Sequence, residues 1–180
     1  MSTRGTFILA KGNAYKEIYI WCDAYPDWGG REVVRLVKTV DLERVFDHLI
    51  PYFRRKWKPD DEDIFFSAKR IEDAVRTDAR PYYCVTEEPL FIQDSLMCEY
   101  GYLVDLDKNT LEYYTNKEPE MPQEENRFGK ELRMLPHSAV ECYPCGLRAV
   151  FSFQFIKEKN TSDIVDLMEE ISKDQVIHYF

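Results

Sequence analysis

Two hairpin signatures, one at each end of a helical block, constrain this chain more than any other feature. The first joins the β-rich runs Arg4–Lys11 and Lys16–Trp21 across Gly12-Asn13. The second joins Cys98–Leu106 and Thr110–Thr115 across Asp107-Lys108-Asn109. Short turns of Gly, Asn and Asp between β-rich runs bring neighbouring strands together antiparallel. Between the hairpins the apolar period lengthens to that of a helix. Val33, Leu36, Val37 and Val40 share one face; Leu42, Val45, Phe46, Leu49 and Phe53 share another, with Asp41 placed to cap. Ile64, Ala68, Ile71 and Val75 suggest a third helix entered at Ser67. Ile164, Leu167, Met168 and Ile171 mark a last one, with Asp163 at its positive N-terminal end.

Strands segregated from helices indicate an α+β fold with a mainly antiparallel sheet and helices packed on it. Strands are predicted over 4–11, 16–22, 98–106, 110–115 and 147–157, with a short one over 81–85. Helices are predicted over 31–38, 41–55, 67–77 and 161–173. The chain has 180 residues, so one globular domain spanning 1–180 is expected, large enough for a real core.

Charge narrows the partners. Lys and Arg number 24 against 33 Asp and Glu, a net charge of −9. That opposes nonspecific nucleic-acid binding, which needs cations to displace counterions, and favours a basic protein partner. Aromatic residues are plentiful, at 14%. No run approaches the roughly 18 apolar residues of a membrane span, and no apolar segment follows Met1, so no membrane association and a cytoplasmic location are expected. Five cysteines at irregular spacing are expected to be reduced, buried thiols.

The most chemical-looking motif is Cys142-Tyr143-Pro144-Cys145-Gly146. A redox pair of this type sits at a helix N-terminus, which stabilises the thiolate. Here the pair leads into Leu147–Ile156, a β-rich run that alternates from Val150 on. A zinc site needs a second pair at metal spacing, which is missing; His137 and Cys98 could be recruited in three dimensions, but nothing in the sequence asks for it. Asp105–Asn109 resembles the opening of a calcium loop, but Thr110 and Asn116 stand where Gly and Glu are required, so a hairpin turn is expected. No metal and no cofactor is expected. Asn160-Thr161-Ser162 matches a glycosylation sequon and reads better as a helix entrance. Of the three histidines, His137 is the best general-base candidate; His48 lies on a helix and His178 near the C-terminus.

The loop Asp23–Gly30 carries the candidate binding residues Asp23, Tyr25, Asp27 and Trp28, gathered beyond a strand end where binding residues commonly sit. Equally, Tyr25-Pro26 and Gly29-Gly30 suit a tight strand-to-helix turn, with Trp28 as a core plug.

Thr3-Arg4-Gly5, the Asp23-x-Tyr25-Pro26 loop and Cys98-Glu99-Tyr100 through Asp105-Leu106-Asp107 form a recognisable set. In order and wording the chain resembles small uncharacterised phage, bacterial and fungal proteins. These open with a Thr-Arg-Gly strand, carry an Asp-x-Tyr-Pro loop and return with a Glu-aromatic strand ending in Asp-Leu-Asp. The resemblance covers about a quarter of the chain and transfers no activity or functional residue. It implies a viral or prokaryotic kinship. Trp21-Cys22 stands where that set often has an Asn-His pair. The strand–helix–strand order is also similar to N-terminal-nucleophile hydrolases, whose first residue supplies nucleophile and base. Ser2, or Thr3 after a further cut, would fill that role. Two functions follow as expectations: an interaction or regulatory protein with an acidic, aromatic-bearing surface, or a small hydrolase based on an N-terminal nucleophile or on Cys142 and His137.

Overall fold

The structure is a computed structural model that describes residues 3–51, 66–78, 82–84, 86–116, 125–129, 133–135, 140–171 and 176–180. Its centre is a six-stranded sheet of β1 (Gly5–Lys11), β2 (Ala14–Ile20), β5 (Tyr100–Asp105), β6 (Thr110–Thr115), β9 (Gly146–Ser152) and β10 (Ile177–Tyr179). The order across the sheet is β10-β9-β6-β5-β1-β2. Both expected hairpins form, pairing Lys11 with Ala14 and Asp105 with Thr110 at their closed ends. Asp105 Oδ1 accepts the backbone N–H groups of Asp107 and Lys108, so the supposed calcium ligand closes the turn instead. β6 and β9 are antiparallel, whereas β1 pairs β5 and β9 pairs β10 in parallel. Two short pairs, β3 (Leu49–Pro51) with β4 (Tyr82–Cys84) and β7 (Arg133–Met134) with β8 (Glu141–Cys142), lie outside the main sheet.

Alternation along the strands divides the core. Phe7, Leu9, Ile18, Ile20, Tyr102, Leu111, Ala149 and Phe151 face α1 (Arg31–Thr39), α2 (Leu42–His48), α3 (Ala68–Thr77), α4 (Phe153–Glu158) and α5 (Thr161–Glu170). Ile8, Ala10, Leu103, Tyr114 and Leu147 face the other way, against Ile92, Cys98, Phe128 and Cys145. β1 is buried on both faces from Gly5 to Ala10, as a central strand must be. The layers are thus helices, sheet, and irregular segments. Among the described residues no second large sheet stacks on the first, so the layering of an N-terminal-nucleophile hydrolase does not appear.

Two expected elements end early. The helix predicted over 41–55 is capped by Asp41 as anticipated but stops at His48. Leu49–Pro51 then pairs with β4, because Leu-Ile-Pro favours extended backbone and Pro51 could not continue the helix; residues 52–55 lie outside the described residues. The strand predicted over 147–157 ends at Ser152. Ser152 Oγ accepts the Phe155 N–H at 3.1 Å and starts α4. No helix among the described residues is long and apolar enough to cross a membrane.

Candidate functional site

The Ser152 cap that stops β9 also builds the most distinctive surface of the molecule. It swings Phe155 away from the strand path, and α5 follows from Asn160. α5 buries Ile164, Val165 and Met168 against the sheet. That orientation leaves Asp163, Asp166, Leu167 and Glu170 along one flank, because positions i, i+3, i+4 and i+7 share a helix face. β10 lies at the end of the sheet and supplies Tyr179. Its ring stacks on Phe151, with centroids 4.8 Å apart and planes 5° from parallel, and meets Phe155 at 5.3 Å.

Together Phe155, Lys159, Asp163, Asp166, Leu167, Glu170 and Tyr179 line an open cavity of about 540 Å³. The aromatic rings and Leu167 form an apolar floor, and three carboxylates face one ammonium group. Lys159 Nζ sits 5.6 Å from the centre of the Phe155 ring, so the floor already holds a cation. Asn160 Nδ2 donates to Asp163 Oδ2 at 3.3 Å. Burial, and then the charge of Glu170, push the Tyr179 phenol above its ordinary pKa. Among the described residues Asp166 and Glu170 have no ion-pair partner. The groove offers negative charge over aromatic surface. It suits cations, alkyl stems and planar guanidinium groups.

The loop singled out from sequence lies elsewhere. Pro26–Gly30 forms a π-helical turn that runs into α1, with Gly29 N–H donating to the carbonyls of Tyr25 and Asp23. Tyr102 Oη donates to the Ala24 carbonyl at 2.7 Å and ties the loop to β5. Gly30 is closely packed: a Cβ there would come within 3.2 Å of Tyr102 Oη and 3.3 Å of Met168 Sδ. Asp23 adopts φ 55°. Asp27 pairs with Arg31 at 2.5 Å. Trp28 is 43% exposed and Tyr25 37%, so Trp28 is no core plug. Asp23, Tyr25, Asp27 and Trp28 do not line the groove.

The cysteine motif is structural in its contacts. Cys98, Cys142 and Cys145 are buried and Cys22 is exposed, all outside disulfides. Cys145 Sγ donates to the Cys98 carbonyl at 3.3 Å, and Cys98 Sγ to that of Tyr100 at 3.3 Å. Burial, followed by the neighbouring Cys145, pushes the Cys98 thiol well up, the opposite of a reactive thiolate. Cys142 Sγ lies 3.7 Å from the Gln93 carbonyl. His137, Met1 and Ser2 lie outside the described residues. Thr3 Oγ1 is buried and, among the described residues, has no hydrogen-bond partner. Among the described residues no three His, Cys, Asp or Glu side chains converge in a metal-binding group.

Two buried polar clusters went unread in the sequence. Arg127 bonds both Asp105, at 2.5 Å, and Glu112, with Nε 2.8 Å from Oε2. Glu17 is buried beside Thr6 and the Phe91 N–H. Only position along a strand could have flagged them: Asp105 and Glu112 sit between buried apolar neighbours, and Glu17 precedes buried Ile18. No protein-family model, curated protein or solved structure matches the chain.

Proposed function

We propose that this is a non-catalytic interaction or regulatory protein that holds a basic protein partner in the groove between α4, α5 and β10. The observation that carries the reading is the combination found there: Asp163, Asp166 and Glu170 above the Phe155 and Tyr179 rings, with Lys159 already over one ring. The overall charge of −9 would steer a basic partner towards the protein from a distance. The hydrolase alternative gains no support from Thr3, whose buried hydroxyl has no hydrogen-bond partner among the described residues. Tyr25 and Trp28, with exposed Trp21, supply a second aromatic surface, favoured only by their exposure.

The test is binding of a fluorescent oligo-arginine peptide at low and high ionic strength. The reading expects salt-sensitive binding that weakens by about tenfold or more when Asp163→Asn, Asp166→Asn and Glu170→Gln are combined. Unchanged affinity in that variant would remove the groove as the site.

A further inference from the structure

The two edges of the main sheet are treated differently. At one edge, β2 is covered: Glu17 and Thr86 form a bridge, and the Phe66 N–H donates to the Tyr19 carbonyl at 3.0 Å. At the other, among the described residues β10 pairs only with β9 and no strand lies beyond it. An uncovered edge presents a row of backbone donors and acceptors that another strand can complete. β10 has three residues, Ile177–Tyr179, and its side chains divide between the faces. Tyr179 turns into the groove, while His178 turns away and meets Glu125 at 2.6 Å.

The uncovered edge and the acidic groove are continuous through Tyr179. A strand added beyond β10 would lie about 4.8 Å from it, beneath the flank of α5 that carries Asp163, Asp166 and Glu170. Every second side chain of that strand would point towards those carboxylates. Two such side chains are about 7 Å apart. Asp163 to Glu170 covers about 10 Å along the helix axis, so one helix flank serves two successive side chains of the strand.

We propose that β10 accepts an extended segment of the basic partner as a seventh strand, with Lys or Arg at alternate positions facing Asp163, Asp166 and Glu170. The inference rests on the groove being the binding site and adds the mode of recognition. Main-chain hydrogen bonds to β10 supply affinity, and the carboxylate-lined groove selects the alternate cations. The open edge favours a polypeptide in extended form over a basic helix, which could satisfy the carboxylates but not the edge.

The experiment uses the full chain and a soluble peptide of alternating Lys and Thr. Two further versions carry backbone N-methyl groups, one on the Lys residues and one on the Thr residues. N-methylation removes a backbone donor and leaves the side-chain charge intact. We expect the parent peptide to bind and to slow hydrogen exchange in Ile177–Tyr179. One methylated version should bind about tenfold or more weakly, because only alternate N–H groups face the neighbouring strand. If both methylated versions match the parent while the Asp163→Asn, Asp166→Asn, Glu170→Gln variant loses it, strand addition is wrong and the groove reading survives. If the parent peptide does not bind at low salt, both are wrong.

Discussion

Thr6 Oγ1 stands 2.9 Å from Glu17 Oε1 and 3.2 Å from the Ile18 carbonyl oxygen, and a hydroxyl has one proton to give. The Ile18 carbonyl can only accept. When Thr6 donates to it, the contact with Glu17 requires a proton on the carboxyl group. Glu17 is 2% exposed, and burial pushes its pKa from 4.5 up to about 7 against the opposing Phe91 N–H and Thr6 bonds. Burial thus favours a neutral Glu17 at the sheet's edge below about pH 7.

Stability should therefore fall as pH rises. Between 4.5 and about 7 the unfolded chain releases the Glu17 proton more readily than the folded one. The loss should total about 3 kcal/mol and level off above the folded value. In Glu17→Gln, whose amide donates to Thr6 at every pH, that slope should vanish. Urea denaturation of both proteins across this range measures the difference; parallel pH profiles would show that Glu17 is not protonated in the fold.

Removing Arg127 should be costly. Asp105 and Glu112 are each 5% exposed, and Arg127 serves both. Burial alone would raise the Asp105 carboxyl, but its bonds to Arg127 and the Lys108 N–H bring it below the ordinary 3.8. Its stabilising contribution is thus present above that value and lost as pH falls through the lowered one. Arg127→Met should cost about 3 kcal/mol at neutral pH by leaving two buried carboxylates uncompensated. Adding Asp105→Asn and Glu112→Gln should recover most of it. A chemical melt that finds the single and triple variants equal would contradict this.

Gly5→Ala and Gly101→Ala should differ. A Cβ on Gly5 would lie 2.5 Å from the Tyr100 carbonyl oxygen, which is backbone and cannot yield locally. A Cβ on Gly101 would lie 2.6 Å from Ile92 Cδ1, the end of a side chain. Gly5→Ala should cost about 3 kcal/mol and Gly101→Ala about 1 kcal/mol. Ile92→Val, which deletes the clashing methyl, should partly rescue only the second. Thermal unfolding of both glycine variants, alone and combined with Ile92→Val, decides it.

Trp28→Ala should change stability by less than about 1 kcal/mol, because the ring is 43% exposed. A larger loss in a urea melt would restore Trp28 to a packing role.

The legible parts of the fold were those with a local cause. Asp41 and Ser67 caps, the Gly12-Asn13 turn and the Asp107–Asn109 turn each act within a few residues. Phe153 to Ile156 read as strand because Phe151, Phe153 and Phe155 alternate with Ser152 and Gln154, yet the cap at Ser152 outweighed that pattern. The parallel pairing of Gly5–Ala10 with Tyr100–Asp105 joins segments some ninety-five positions apart, and no local signal announces it. The groove shares this origin. Asp163, Asp166 and Glu170 could be placed on one helix face from spacing alone, but Tyr179 joins them only through the pairing of β10 with β9.

The most direct measurement of the groove's role is the map of backbone amide shifts when an oligo-arginine peptide is titrated into the labelled protein. The account predicts that shifts concentrate on residues 155–170 and 177–179, with little change at Asp23, Tyr25, Asp27 and Trp28. Shifts centred on residues 21–28, with 155–170 and 177–179 unmoved, would contradict it.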